Sequence, residues 1–153
     1  MIAKVEQYYL EDLCVGQKFT SGTYVMDEAR IMEFAAEFDP QPFHLDEIAA
    51  RKSIFQGLAA SGWHTAAVTM RLLATGGLPL EEGLIGLGGE LSWPRPTRPG
   101  DVLHVESEIV AITPSRSKPW QGIVTVRITT LNQHGEAVYL LTAKLWVSRR
   151  PLA

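Results

Sequence analysis

Residues 38–46, FDPQPFHLD, place a carboxylate and an imidazole five positions apart on a segment with two prolines. An aspartate is disfavoured where a helix ends, because the last carbonyls carry partial negative charge. Asp39 therefore indicates either a turn-forming residue or a chemical role. Each proline fixes one φ angle, which restricts the position of Asp39 relative to His44. A rigidly placed carboxylate and imidazole are what general acid–base catalysis requires near neutral pH. Gln41 lies between them and can orient a water molecule or the carboxylate.

A second candidate is the run of small residues in GLAASGWHT, residues 57–65. The first N–H groups of a helix have no internal partner and lie at the positive end of the helix dipole. Gly62 at the start of a helix would let a substrate oxygen approach these groups, which is how an oxyanion site is built. Ser61 and Trp63 beside it are candidate substrate contacts. Alternatively, the small residues only allow a helix to begin against a sheet, with Trp63 in the core.

The elements that must hold these residues change in character along the chain. The first half predicts one strand and three helices, and the second half predicts four strands rich in Val, Ile, Thr and Leu. Pro40 ends the first helix, Asp46 is a candidate cap for the second, and the third is apolar on nearly every side, which predicts a buried helix. The predicted strand and helices cover 16–26, 27–38, 46–53 and 61–77, and the four later strands cover 84–93, 101–113, 122–132 and 136–148.

Strands that follow one another after a helical segment indicate an antiparallel sheet, so the predicted fold class is α+β. A buried helix and such a sheet pack most economically when the sheet curls around the helix. No internal repeat, low-complexity tract or linker interrupts the chain. We therefore expect a single domain over residues 1–153.

The composition narrows the range of partners. The chain has 153 residues, of which 46% are apolar and 20% charged, as in a globular protein. A net charge of −3 argues against nucleic acid as the main partner. One cysteine, no leader-like N-terminus and no long apolar run predict a cytoplasmic protein with no membrane partner. No residue spacing indicates a metal site, and no glycine-rich nucleotide loop is present.

The segment Asp39, Gln41, Pro42, His44 and Asp46 resembles the Asp-x-Asn-Pro-x-His-x-Asp signature of the MaoC-like dehydratases, also called R-specific enoyl-CoA hydratases. SGWHT resembles the family's small-residue segment, which is usually His-Gly, at the mouth of the central helix. RPTRPGDVLHVESEI, at 95–109, resembles the Pro-x-x-x-Gly-Asp turn that opens a family strand.

This resemblance implies a hot-dog fold, in which an antiparallel sheet wraps one long helix, and it implies a homodimer or higher homo-oligomer. It also implies a 2-enoyl-CoA substrate and no cofactor. Asp39 and His44 would handle the water that adds to or leaves the double bond, and the Gly62 N–H would hold the thioester carbonyl. Candidate contacts for the coenzyme phosphates are the cations on two loops, Arg95, Arg98, Arg116 and Lys118.

Three positions depart from the family pattern: Gln41 replaces an asparagine, Phe38 a glycine and Met70 a serine found in some hydratases. These changes leave the acid–base pair intact but bear on which acyl group fits. Two alternatives stay open at this point. One is a hot-dog thioesterase, which would attack the carbonyl, and the other is a non-catalytic subunit that binds acyl-CoA.

Overall fold

The computed structural model describes residues 6–152. Within this range the chain forms five strands and four α-helices. A short 3₁₀-helix precedes them at Leu10–Asp12, and one wide helical turn, Leu73–Gly77, follows the last α-helix. In chain order the elements are β1 Lys18–Val25, α1 Glu28–Phe38, α2 Pro42–Leu45, α3 Glu47–Arg51, α4 Gly62–Leu72, β2 Ile85–Ser92, β3 Val102–Pro114, β4 Gln121–Leu131 and β5 Ala137–Ser148.

The strands form one antiparallel sheet in the order β1-β3-β4-β5-β2. Side chains alternate between its two faces, as β4 shows with buried Val124, Val126 and Ile128 and more exposed residues between them. Helix α4 lies against the buried face and contacts β1, β3 and β5. Its inward side chains, Val68 and Leu72, belong to the core. The predicted α+β arrangement, a sheet around a central helix, is confirmed.

The prediction that α4 is buried on all sides is wrong for the single chain. Trp63 is 56% exposed and Met70 48%, and they lie on the side of α4 that faces away from the core. The edge strand β2 is exposed along its whole length, with Leu87 at 45% and Leu91 at 40%. The apolar surface of the helix is therefore larger than one sheet covers. A sequence pattern shows that a face is apolar but not which surface covers it.

The segment 38–46 is not the proline-stiffened loop that its composition predicts. Pro42 begins the short helix α2, since proline at the first helical position has a suitable φ and no N–H left unpaired. Helix α3 then begins at Glu47, directly after Asp46, whose side chain accepts the N–H of Ile48 at 2.9 Å, so the predicted cap is confirmed. His44 is thus carried by a helical turn and not by an extended loop.

Candidate active site

A cleft of about 370 Å³ lies where the end of α1, helix α2 and the start of α4 meet the segment that follows β2. Asp39, His44 and Gly62 line it. The sequence-predicted residues Gln41, Trp63 and Arg95 also line this cleft, together with the rings of Phe43, Phe55 and Trp93. Ser61 is fully buried directly behind the wall.

The carboxylate and the imidazole are in direct contact. Asp39 follows the last residue of α1, and its N–H donates to the carbonyl of Ala35, so the backbone at the helix end is fixed. His44 Nε2 lies 3.2 Å from Asp39 Oδ2. The His44 side chain is 6% exposed and that of Asp39 17%, so the pair is open to the cleft mainly on the carboxylate side.

The other ring nitrogen of His44 fixes the orientation of the imidazole. Nδ1 lies 2.6 Å from the carbonyl oxygen of Ala59. Because a carbonyl only accepts, Nδ1 carries a proton and donates it. Nε2 can then donate to Asp39 only when the ring carries both protons. His44 is held between a carbonyl and a carboxylate, with Nε2 as the atom available for proton transfer.

Both oxygens of Asp39 accept hydrogen bonds from neighbouring side chains. The Ser61 hydroxyl donates to Oδ2 at 2.6 Å, and the Gln41 amide donates to Oδ1 at 2.5 Å. Burial raises the pKa of Asp39, but these hydrogen bonds and the charge of His44 outweigh it, so the pKa is lowered below its ordinary value of 3.8. Asp39 is therefore an ionised carboxylate at neutral pH.

We expect Ser61→Ala to raise the pKa of Asp39, because the ionised carboxylate loses a hydrogen-bond donor. A carboxylate with a lowered pKa stabilises the fold above its unfolded pKa, and this stability is lost as pH falls through the folded value. The substitution should therefore move acid unfolding to higher pH, as followed by circular dichroism. It should also cost about 1 kcal/mol at neutral pH, because the Ser61 hydroxyl caps α4 by accepting the N–H of Trp63.

Ser115→Ala is the matched control, since the Ser115 hydroxyl also accepts a backbone N–H, that of Lys118, but lies on the β3–β4 hairpin. It should leave the midpoint of acid unfolding unchanged. An equal midpoint shift in both variants would contradict the role given to Ser61.

Gly62 occupies a position where no other residue fits without movement. It is the first residue of α4, and a Cβ added there would lie 2.6 Å from the ring of Trp93. The Trp93 indole N–H also donates to the Gly62 carbonyl at 2.9 Å. Among the described residues, the Gly62 amide has no hydrogen-bond acceptor. An unpaired N–H at the positive end of a helix, on the wall of the cleft, is suited to bind a carbonyl oxygen.

The four cations predicted to contact phosphates lie at different places in the folded chain. Arg95 lines the mouth of the cleft, is 59% exposed and pairs with Glu136 at 3.0 Å. The Arg98 guanidinium instead points to the backbone and donates to three carbonyls. Arg116 and Lys118 lie on the β3–β4 hairpin, at the opposite end of the thirteen-residue strand β3, roughly 40 Å along the strand.

Sequence reasoning missed three parts of this cleft. Trp93 covers Gly62 and contacts Trp63, with ring centroids 5.1 Å apart. Phe55 forms part of the wall, and Thr65 donates to Thr97 at 3.0 Å within it. These residues come from separate parts of the chain, so no local pattern connects them. Only the folded chain brings them to the cleft.

The described part of the chain has neither a cluster of metal-ligating residues nor a helix that could span a membrane. Within residues 6–152, no group of three or more His, Cys, Asp or Glu residues is placed to hold a metal ion. Over the same range, no helix has the length and apolar character needed to cross a membrane.

Comparison with known proteins gives the family. The sequence model of the MaoC like domain matches residues 13–132. This chain belongs to the MaoC-like domain family. The family resemblance and the hot-dog fold expected from the sequence are therefore confirmed.

Proteins similar to this MaoC-like chain include solved structures and a curated relative. The crystal structure of the MaoC-like dehydratase from Rhodospirillum rubrum superposes with a TM-score of 0.94 at 64% identity, covering 95% of this chain and 99% of that one. The R-hydratase PhaJ1 of Pseudomonas aeruginosa superposes with a TM-score of 0.75 at 30% identity, covering 97% and 94%. A 3-hydroxybutyryl-CoA dehydratase of Methylorubrum extorquens is 30% identical over 123 residues, covering 77% of this chain and 74% of the relative.

Proposed function

We propose that this protein is a hydro-lyase that adds water to, or removes it from, the double bond of a 2-enoyl-CoA or related thioester. The observation that supports this most directly is the contact of Asp39 Oδ2 with His44 Nε2 at 3.2 Å, in the cleft that Gly62 also lines. An acid–base pair and an unpaired helix amide are the two parts that this reaction needs. The relatives named as a 3-hydroxybutyryl-CoA dehydratase and an R-hydratase support the same reaction class.

In the hydration direction, a water molecule in the cleft attacks C3 of the enoyl thioester while Asp39 accepts one of its protons. Electron density moves through the double bond to the carbonyl oxygen and forms an enolate. The Gly62 N–H and the dipole of α4 stabilise this negative charge. The lowered pKa of Asp39 keeps the carboxylate ionised and able to accept the proton at neutral pH.

His44 supplies the second proton. With Nδ1 bonded to Ala59, the doubly protonated ring donates from Nε2 to C2 of the enolate, which gives the 3-hydroxyacyl thioester. The proton held by Asp39 then passes to Nε2 across the contact of 3.2 Å and restores the starting state. One water is consumed, one C–O and one C–H bond form, and the double bond is lost. The reverse sequence is dehydration, and neither direction requires a cofactor.

The coenzyme part of the bound substrate would extend out of the cleft through its mouth. Arg95 is the proposed phosphate contact there, because it is exposed and its partner Glu136 can be exchanged for a phosphate. Trp63 and Gln41 are proposed contacts of the acyl thioester, since both line the cleft. A cytoplasmic location is part of the proposal, because the exposed free thiol of Cys14 is best preserved in a reducing compartment.

Crotonyl-CoA and butyryl-CoA together test the reaction class. The expected result is loss of the enoyl absorbance of crotonyl-CoA with formation of 3-hydroxybutyryl-CoA, and no thiol release from butyryl-CoA. Release of free CoA from the saturated thioester would make the protein a thioesterase. Ligand binding with no change in either thioester across a panel of chain lengths would make it a binding subunit.

We also propose that two copies associate through the exposed face of α4 and strand β2. Helix α4 exposes Trp63 and Met70, strand β2 exposes Leu87 and Leu91, and the free edge of β2 can pair with a second strand. We expect wild-type protein to have the mass of a dimer by light scattering and Leu87→Lys to shift the mass toward the monomer. Val15→Lys places the same charge on an exposed apolar residue outside this face and should remain dimeric. A monomeric wild-type protein at micromolar concentration would contradict the proposal.

A further inference from the structure

Arg98 makes an unusual set of contacts for a residue on a surface turn. It is half-buried, and its guanidinium donates from Nη1 to the carbonyl of Gly57 at 2.9 Å and from Nη2 to that of Phe55 at 2.5 Å. Nη1 also lies 3.3 Å from the carbonyl of Leu58. One side chain thus binds three carbonyls of the loop that connects α3 to α4. We propose that Arg98 is a positioning residue for the reaction, which acts through this loop on His44; this inference rests on the proposed function.

The loop that Arg98 binds has a conformation that needs support. Gln56 has a φ of 57°, the one residue other than glycine with positive φ among residues 6–152. Side chains with a Cβ are disfavoured in this left-handed region, so the surrounding contacts must hold it there. Arg98 binds the carbonyls on both sides of Gln56, at Phe55 and Gly57. The hydrogen bonds of Arg98 to these two carbonyls therefore oppose relaxation of Gln56 to a backbone conformation without strain.

The loop leads directly to the atom that orients His44. The Ala59 carbonyl accepts the His44 Nδ1 proton at 2.6 Å, and the Ala59 N–H donates to the carbonyl of Phe43 at 3.2 Å. On the other side, the Ala60 N–H donates to the carbonyl of Thr97, the residue before Arg98. Ala59 is thus held between Leu58, which Arg98 binds, and Ala60, which Thr97 binds.

Through Phe55, the hydrogen bonds of Arg98 have a second effect on the cleft. Its backbone carbonyl is bound by Arg98, and its ring lies 5.1 Å from the ring of Phe43 and 6.2 Å from that of His44. Release of the loop would therefore move an aromatic wall of the cleft as well as the acceptor of the His44 proton. Both effects concern the placement of the imidazole and not the binding of a phosphate.

Arg98 is itself held by the sheet. Its backbone N–H donates to Asp101 at 2.8 Å, and the same carboxylate accepts from Gln133 of the β4–β5 hairpin at 3.0 Å. The Gly100 N–H donates to the carbonyl of Met26, which follows β1. The turn 97–101 is thus tied to the residue after β1 and to the β4–β5 hairpin, which lie at the same end of the sheet. Arg98 connects this fixed turn to the loop before α4.

Steady-state kinetics of Arg98→Met, Arg98→Lys and the matched control Arg127→Met separate positioning from binding. Arg127 pairs with Glu108 at 3.1 Å on neighbouring strands and does not line the cleft. We expect Arg98→Met to lower kcat about 10- to 100-fold with little change in KM, because a displaced His44 affects the chemical step. Arg98→Lys should recover part of kcat, and Arg127→Met should be unchanged. A rise in KM at unchanged kcat would instead make Arg98 a phosphate ligand and overturn the proposal.

A spectroscopic measurement tests the same inference without turnover. In protein labelled with ¹⁵N-histidine, the Nδ1–H resonance of His44 is identified by its loss in His44→Gln. We expect this resonance to broaden or disappear in Arg98→Met and to persist in Arg127→Met. An unchanged resonance in Arg98→Met would contradict the proposal. If wild-type protein hydrates no thioester, the proposed reaction fails, while this resonance still reports whether Arg98 holds His44.

Gln56→Gly keeps the inference testable if Arg98→Met does not fold. Glycine occupies the left-handed region without steric cost, so the loop should keep its conformation with weaker support from residue 98. We expect the double variant Arg98→Lys with Gln56→Gly to have a higher kcat than Arg98→Lys alone. Equal kcat values in these two variants would contradict the coupling between Arg98 and the strained loop.

Discussion

Asp39→Asn and His44→Gln are each expected to lower kcat for hydration of crotonyl-CoA by about 10²- to 10⁴-fold, the range typical of acid–base residues. Asparagine keeps the shape of Asp39 but cannot accept the proton of the attacking water. Glutamine at position 44 cannot deliver a proton to C2. Stopped-flow or steady-state measurement of the enoyl absorbance gives both rates.

The double variant tells whether the two residues act as one unit. Because Asp39 Oδ2 and His44 Nε2 are 3.2 Å apart and exchange one proton in the proposed cycle, either loss should interrupt the same step. We therefore expect the double variant to be about as slow as the slower single variant and not slower by the product of both effects. Fully multiplicative losses would separate the two residues into independent roles.

Asp27→Asn and His134→Gln are suitable controls for these substitutions. Asp27 is exposed at the start of α1, and its side chain makes no capping hydrogen bond. His134 is exposed in the β4–β5 hairpin. Both controls should turn over crotonyl-CoA at the wild-type rate. Wild-type turnover in Asp39→Asn or His44→Gln would remove the basis of the proposed mechanism.

Gly62→Ala is expected to lower kcat/KM by about 10²-fold, the lower end of the range for loss of an oxyanion donor. The alanine keeps its N–H, so the cause is displacement: the added Cβ would lie 2.6 to 3.0 Å from three atoms of the Trp93 ring. Either the ring moves into the cleft or the first turn of α4 moves away from it. Both movements shift the amide relative to the thioester carbonyl.

A second substitution distinguishes this displacement from general instability. Trp93→Phe removes ring volume beside position 62, and it also removes the indole hydrogen bond to the Gly62 carbonyl. We expect Gly62→Ala with Trp93→Phe to be more active than Gly62→Ala alone. Gly22→Ala is the matched control, because a Cβ at Gly22 meets no atom within 4 Å. Full activity of Gly62→Ala would exclude the tight contact as a constraint on the oxyanion site.

Several elements could be predicted because their signals are local. Helix α1 follows from apolar residues at helical spacing and ends where Pro40 requires it. Strands β3, β4 and β5 follow from runs rich in Val, Ile, Thr and Leu that are separated by turn signals. Asp39, Gln41 and His44 lie within six residues of one another, so their proximity in the structure could be predicted from spacing alone. The helical turn α2 was missed because two prolines within three residues, Pro40 and Pro42, favour a loop when tertiary contacts are ignored.

The remainder of the site depends on contacts between residues far apart in the chain. Trp93 lies 31 positions from Gly62, but its ring occupies the space where a Cβ at position 62 would lie. The sequence around either residue gives no sign of this contact. Arg98 shows the difference most clearly. As a sequence feature it is one of several surface cations, whereas in the folded chain it binds the loop before α4.

The sequence by itself predicted the α+β class and the proximity of Asp39 to His44, because periodicity and close spacing are properties of the local chain. Its resemblance to a known signature at residues 39–46 indicated the family. The tertiary structure alone decided which nitrogen of His44 faces the carboxylate, which cation reaches the cleft and which side of α4 stays uncovered. Each of these depends on the direction of a side chain and on the surface that meets it. Directions of this kind are fixed only when distant segments pack together.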